Sequence, residues 1–167
     1  EGRPPFRRGR RVHLIATSWS DNERKGHDVY RWLEDHLDWD RYDFTFVGRT
    51  RERFSRVRII PPVGSAELGR LLREHDVYVF ASRIEACSNA LTEALACGLP
   101  ALYFGGSSNP EVVGYGGLPF REESEILPQL DRLVGEYEAF QRLITVPTMD
   151  EVASKYAELI REVARSF

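Results

Sequence analysis

Six short apolar runs, most of them separated by segments with helical spacing, constrain this chain more than any other feature. They fall at residues 12–16, 44–47, 57–60, 77–80, 100–104 and 118–120. Between and after them, helical patterns are expected at 25–37, 65–74, 89–97, 122–134, 136–143 and 149–165, with a short helix starting at Asn109-Pro110-Glu111. In the first of these Val29, Trp32, Leu33, His36 and Leu37 recur at helical spacing. Pro61-Pro62 stops the third strand, Ser65 is placed to N-cap the helix after it with Glu67 in the first turn, and Gly98 stops the helix over 89–97. Strands that alternate with helices and are apolar on both faces imply a parallel sheet wrapped by helices. The expected fold is α/β, a Rossmann-like doubly wound sheet of about six strands in the order 3-2-1-4-5-6 with right-handed crossovers. In such sheets ligands bind beyond the carboxyl ends of the strands, where the strand order switches.

Composition narrows the setting. A chain of 167 residues forms one domain with a sizeable core. Its net charge of -3 gives no bulk electrostatic case for nucleic acid. The two cysteines, Cys87 and Cys97, make no CxxC or metal-like spacing and read as reduced thiols in a cytoplasmic setting. No run approaches the ~18 apolar residues of a spanning helix. No signal-peptide pattern is present, although the chain does not begin with Met, which leaves an upstream segment open. Residues 1–11 carry Arg3, Arg7, Arg8, Arg10 and Arg11 with Pro4 and Pro5, which reads as a basic arm or interdomain linker. Contact with membrane phosphates or nucleic acid is the minor alternative there. The domain proper is expected at residues 12–167.

The densest chemistry lies in Glu85-Ala86-Cys87-Ser88-Asn89-Ala90-Leu91-Thr92-Glu93-Ala94-Leu95-Ala96-Cys97-Gly98-Leu99-Pro100. Here a loop at the end of a buried strand turns into a helix. The amides of Ser88, Asn89 and Ala90 fall at the helix N-terminus, whose free N–H groups and dipole suit a phosphate. Glu93, about one turn in, is placed to accept hydrogen bonds from a ribose diol. Glu85, just before the helix, is placed to hold hydroxyls on whatever the phosphate carries. Anion site, diol acceptor and hydroxyl acceptor together describe a nucleotide-sugar pocket.

This stretch resembles the donor-binding half of a family 4 glycosyltransferase of the GT-B architecture. That family carries a Glu, seven residues, then a Glu followed by Ala-hydrophobic-Ala-Cys-Gly-x-Pro. Glu85, Glu93 and Ala94-Leu95-Ala96-Cys97-Gly98-Leu99-Pro100 match in order and spacing. Lys25-Gly26 is similar to the family's Lys-Gly after the first strand. Gly105-Gly106-Ser107-Ser108-Asn109-Pro110-Glu111-Val112-Val113 is similar to its Gly-Gly-x-Pro-Glu-Val-Val segment, here lengthened. The resemblance runs from about Val12 to the C-terminus and implies hexosyl transfer from a nucleoside diphosphate sugar with retention at the anomeric carbon. It implies no cofactor, no required metal and no agreed protein nucleophile, so positioning and electrostatics carry the rate. Glu85 and Lys25 are the implied catalytic-side residues, Lys25 as fixed charge for the departing diphosphate. Two departures stand out. The family's Arg five positions before the Lys is Ser20 here, so that either Arg24 replaces its charge or the loop runs differently. Ser88 stands where the family has Gly; its hydroxyl or Asn89 would meet the phosphate or cap the helix. The base is expected near Gly48, Arg49, Pro62 and Val63. The acceptor-binding N-terminal half is expected to be absent, with the final helix returning toward it, so that this half alone turns over little or not at all.

Other features rate low. Asp38-Trp39-Asp40 matches a short metal motif but falls on the side opposite the pocket. His13, His27, His36 and His75 are dispersed, with no ligand pairing or triad partner, and Tyr30, Trp32 and Trp39 read as core or domain-surface aromatics. The rival reading is a non-catalytic nucleotide-binding or interaction module on the same fold. A non-hydrolysing sugar-nucleotide epimerase is a third, against which the Ala-Leu-Ala-Cys-Gly-Leu-Pro run counts.

Overall fold

The computed structural model describes residue 6 and residues 9–165. Arg3, Pro4, Pro5, Arg7 and Arg8 of the expected arm lie outside the described residues. The strands are β1 (Val12–Ser18), β2 (Tyr42–Gly48), β3 (Arg58–Ile60), β4 (Val77–Phe80), β5 (Ala101–Phe104) and β6 (Gly117–Phe120). The helices are α1 (His27–His36), α2 (Ser65–Glu74), α3 (Asn89–Ala96), α4 (Asn109–Val113), α5 (Glu123–Gly135), α6 (Tyr137–Arg142) and α7 (Met149–Arg165). All six strands are parallel, in the order β3-β2-β1-β4-β5-β6, as the apolar pattern leads one to expect.

Alternation along β1 builds the two cores. Leu14 and Ala16 face Val29, Tyr30 and Leu33 of α1 and Ile126, Leu130 and Leu133 of α5. Ile15 faces the other way, onto Leu68, Leu71 and Leu72 of α2 and Leu91 and Leu95 of α3. Each such side chain, removed from water, stabilises the fold by about 1.5–3 kcal/mol. Because β1 is covered on both faces and bonded on both edges, its carboxyl end is held rigidly at the switch in strand order.

Most element boundaries differ from the sequence pattern by one or two residues, and three of the differences have a specific contact behind them. The helix expected from residue 25 begins at His27. Asn22 caps a separate 3-10 turn, Glu23–Lys25, and Gly26 then takes φ 72°. A Cβ at Gly26 would lie 2.2 Å from the Ala81 carbonyl oxygen, so the close approach of this loop to the end of β4 requires glycine. The expected N-cap Ser65 is instead the first residue of α2; Gly64 holds the cap position and its carbonyl accepts the Leu68 amide at 2.9 Å. The third strand starts at Arg58 rather than at Val57, because the Val57 amide donates to the Glu34 carboxylate at 3.1 Å and not to the sheet.

Part of the basic N-terminal segment is anchored. Phe6 stacks on Tyr137 at 4.1 Å between ring centroids. Arg10 Nη2 lies 2.6 Å from Asp76 Oδ1, on a residue only 1% exposed, while Asp76 Oδ2 accepts from the His13 amide at 2.9 Å. The contacts sit at the amino ends of the strands. Asp38-Trp39-Asp40 lies there too, as a turn: Asp38 Oδ1 accepts the Asp40 amide and the Asp38 carbonyl accepts those of Arg41 and Tyr42. Tyr30 is core, and Trp32 stacks on His36.

Candidate functional site

The carboxyl ends of β1 and β4 and the start of α3 enclose a cavity of about 330 Å³. Ser20, Lys25, Glu85, Ser88, Asn89 and Ala90, all singled out from sequence, line it together with Thr17, Ser18, Trp19, Tyr30, Phe80, Ser82 and Cys87. A larger hollow of about 660 Å³ opens at the opposite end of the sheet around Arg11, His13, Trp39 and Arg58. It gathers none of the residues that carry the glycosyltransferase resemblance, and Arg11 and His13 there both pair with Asp43 at 3.0 Å.

Glu85 and Lys25 meet across the cavity. Lys25 Nζ lies 2.5 Å from Glu85 Oε1, and the Ser82 hydroxyl donates to the same oxygen at 2.6 Å. The Glu85 backbone is tied down as well: its amide donates to Ser107 Oγ at 3.0 Å, and its carbonyl accepts from the Ser107 and Ser108 hydroxyls. Ser107 reaches it through a φ of 56°. Asn109, fully buried, donates through Nδ2 to the Ser82 and Phe104 carbonyls at 3.0 Å each and so joins the ends of β4 and β5.

Ser88 is the N-cap of α3: its hydroxyl accepts the Leu91 amide at 3.4 Å. Asn89 is therefore the first helical residue, exposed on the cavity wall, and not the cap. The amides of Asn89 and Ala90 head the helix, ahead of the first intrahelical donor, which leaves them directed at the cavity end. Among lining residues only Lys25 and Glu85 carry charge.

The remaining sequence candidates are near but off the wall. Glu93 is exposed, one turn into α3. Burial first, then the neighbouring Tyr30, pushes the Tyr78 hydroxyl above its ordinary range, and Glu93 adds to the push. Gly48, at φ 135°, lies against the end of β1, where a Cβ would come 1.8 Å from the Ser18 carbonyl oxygen. Arg49 donates its amide to that oxygen at 2.8 Å. These two residues fix the β1 terminus rather than line the cavity. Pro62 is exposed and Val63 half-buried beyond β3. The Arg24 carbonyl accepts the Arg83 amide at 2.8 Å, which ties the Lys25 turn to the Glu85 loop; its side chain is off the wall.

Sequence reasoning missed Ser82, Ser107, Ser108, Asn109 and His27. His27 is buried and its Nε2 meets the Ser20 carbonyl at 3.1 Å, so it steadies the loop before Lys25. The lengthened Gly105–Asn109 segment was the visible signal for the serines. Nothing local marked His27. Among the described residues no group of three His, Cys, Asp or Glu is placed to hold a metal ion, and no helix is long and apolar enough to cross a membrane.

No curated protein sequence matches the chain significantly. Among solved structures, sucrose-phosphate synthase from Thermosynechococcus elongatus superposes with a TM-score of 0.70 at 16% identity, over 93% of this chain and 46% of that one. The pneumococcal O-GlcNAc transferase in complex with UDP and GlcNAc gives 0.67 at 18% identity, over 98% and 37%. The catalytic domain of Starch Synthase IV from Arabidopsis thaliana, bound to ADP and acarbose, gives 0.69 at 15%, over 92% and 38%. The chain thus spans less than half the length of each, and the likeness shows the Rossmann-like half of a GT-B fold. The sequence profile of the family described as "Glycosyl transferases group 1" matches residues 18–136, a span running from the end of β1 through both glutamates and the cavity to the close of α5. The chain belongs to the group 1 glycosyl transferases.

Proposed function

We propose that the chain is the donor-binding half of a glycosyltransferase that moves a hexosyl group from a nucleoside diphosphate sugar to an acceptor, with retention at the anomeric carbon. One observation carries this reading. Lys25 and Glu85, sixty positions apart in sequence, meet beside the N-terminus of an eight-residue helix at the carboxyl end of a parallel sheet. A diphosphate seated there has the Asn89 and Ala90 amides and the helix dipole on one side and Lys25 on the other. Departure of the diphosphate concentrates negative charge where those groups are already placed, so no metal is invoked. Glu85 faces the donor sugar, Glu93 the ribose, and the loops of Gly48, Arg49, Pro62 and Val63 the base. Ser20 and the Ser88 hydroxyl complete the diphosphate surroundings, with the Arg24 charge beyond the wall. Two of the superposed structures hold UDP or ADP, which favours a nucleotide ligand here.

The acceptor-binding half belongs upstream of this chain, the segment before β1 acting as the join, and the cleft forms between the two halves. Cys87 and Cys97 are unpaired, in keeping with a cytoplasmic setting. The net charge of -3 supplies no bulk attraction for nucleic acid, and contact of the basic arm with a membrane is kept as the minor alternative. The second reading, a non-catalytic nucleotide-binding module, draws on Ser20 where the family has Arg and on a cavity wall with a single cation. Isothermal titration with UDP, GDP, ADP and their sugar conjugates separates the two. Saturable binding to one base, lost in Glu93→Ala, supports the donor site. A silent Glu93→Ala supports the module. Sugar transfer by this half alone at ordinary enzyme rates would overturn the division into halves.

A further inference from the structure

The ion pair in the cavity has a consequence for what the cavity prefers to bind. Among the described residues Lys25 and Glu85 are the only charged side chains on its wall, and they already neutralise one another. The Lys25 side chain is 32% exposed and that of Glu85 13%, so solvent screens the pair less than an open surface pair. The Glu85 main chain cannot withdraw, because Ser107 and Ser108 hold both its amide and its carbonyl. Only its side chain can swing away, and the Ser82 hydroxyl holds the same carboxylate oxygen as Lys25 does. An incoming phosphate therefore meets an ammonium whose partner is fixed close by.

We infer that Glu85 is a specificity-determining residue that competes with the ligand's phosphates for Lys25 and so favours a sugar-bearing nucleoside diphosphate over the bare one. The inference rests on the donor-site reading above. A bare diphosphate has to take Lys25 from the carboxylate and offers it nothing in exchange. It leaves Glu85 with the Ser82 hydroxyl alone and sets two anions around one cation. A diphosphate that carries a sugar brings hydroxyl donors to the same place, and the displaced carboxylate accepts from them. Hydrogen bonds to a carboxylate are among the stronger ones, so the exchange recovers much of what the pair gave up. Once the sugar has gone, the carboxylate returns to Lys25 and promotes departure of the bare diphosphate.

The test is a titration cycle with the wild type, Glu85→Gln, Lys25→Met and the double variant. The ligands are UDP, GDP, ADP and their glucose conjugates, and thermal melts confirm that each protein is folded. Glu85→Gln keeps the side-chain shape and an acceptor for Ser82 while removing the competing charge. It is expected to bind the bare diphosphate about fivefold more tightly or better, the scale of a part-shielded ion pair. It is also expected to shrink the ratio of conjugate to bare affinity, and its gain disappears when Lys25 is already Met. Glu85→Gln binding bare nucleotide no more tightly than wild type, or a gain that persists without Lys25, overturns this inference and leaves the donor site standing. No nucleotide bound by any of the four proteins overturns both.

Discussion

Glu34 shows how one side chain can decide where a strand begins. It sits on α1, almost wholly buried, and a single oxygen accepts the amides of Ser55, Arg56 and Val57 at 2.7, 2.6 and 3.1 Å. Arg31 reaches the other oxygen at 2.8 Å. Burial pushes the carboxyl up, but those three amides and then Arg31 outweigh it and hold its pKa below the usual carboxylate value. A carboxyl depressed in the folded state stabilises the protein fully above its unfolded pKa, near 4.5, and loses that contribution as pH falls through the lower folded value. Glu34→Gln is expected to cost about 1–3 kcal/mol at pH 7, since buried amides lose a charged acceptor. Urea melts at descending pH check it: the gap between wild type and variant narrows as the medium becomes more acidic than pH 4.5. A gap that does not change with pH would mean that the loss is one of packing alone.

At the scale of elements, the strands were legible because each carries a short, mainly apolar run, broken only by single residues such as His13 in β1, Thr45 in β2 and Arg58 at the start of β3. Their order followed from topology rules and not from any residue. The boundaries that slipped were set from a distance: β3 by Glu34, and α1 by Gly26 pressed on Ala81. In the site, Glu85, Lys25, Ser88, Asn89 and Ala90 were legible through the motif and stand together. Ser82 and His27 were not, since their partners, Glu85 three positions on and Ser20 seven positions back, lie in irregular loops whose paths no periodicity reports. Helix α5 shows the same conflict in reverse. Pro128 lies inside it, where proline ordinarily breaks a helix, yet Ile126, Leu130 and Leu133 are all fully buried in the core and hold the turn. Pro128 itself is exposed. Pro128→Ala is therefore expected to stabilise the domain by about 1–3 kcal/mol by restoring a helical donor and removing ring crowding. Thermal or urea unfolding measures it, and a lower melting temperature would show that Pro128 holds its turn by restricting the unfolded chain.

The molecule as a whole ends in a helix without a floor. None of the residues of α7 is buried, and Met149, Tyr156, Leu159, Ile160 and Val163 stand exposed on it, Met149 at 80% and Ile160 at 66%. If an upstream half completes the enzyme, this apolar row is what it covers. Amide exchange along α7 is expected to be fast in this chain alone and to slow on joining it to that half, while exchange in β1 and β4 stays slow in both. Slow exchange in the isolated chain would mean that the helix already has a partner. At the other end, the grip of Asp76 on Arg10 bears on mechanics. A pull on the backbone ahead of Val12 runs straight along β1, about 23 Å long for seven residues. With parallel neighbours bonded to both edges, that strand takes the load in shear, many bonds at once, instead of unzipping. It therefore behaves as a stiff rod, and tension applied at its foot is shared out to β2 and β4 before it reaches Ser18 and Ser20 on the rim of the cavity.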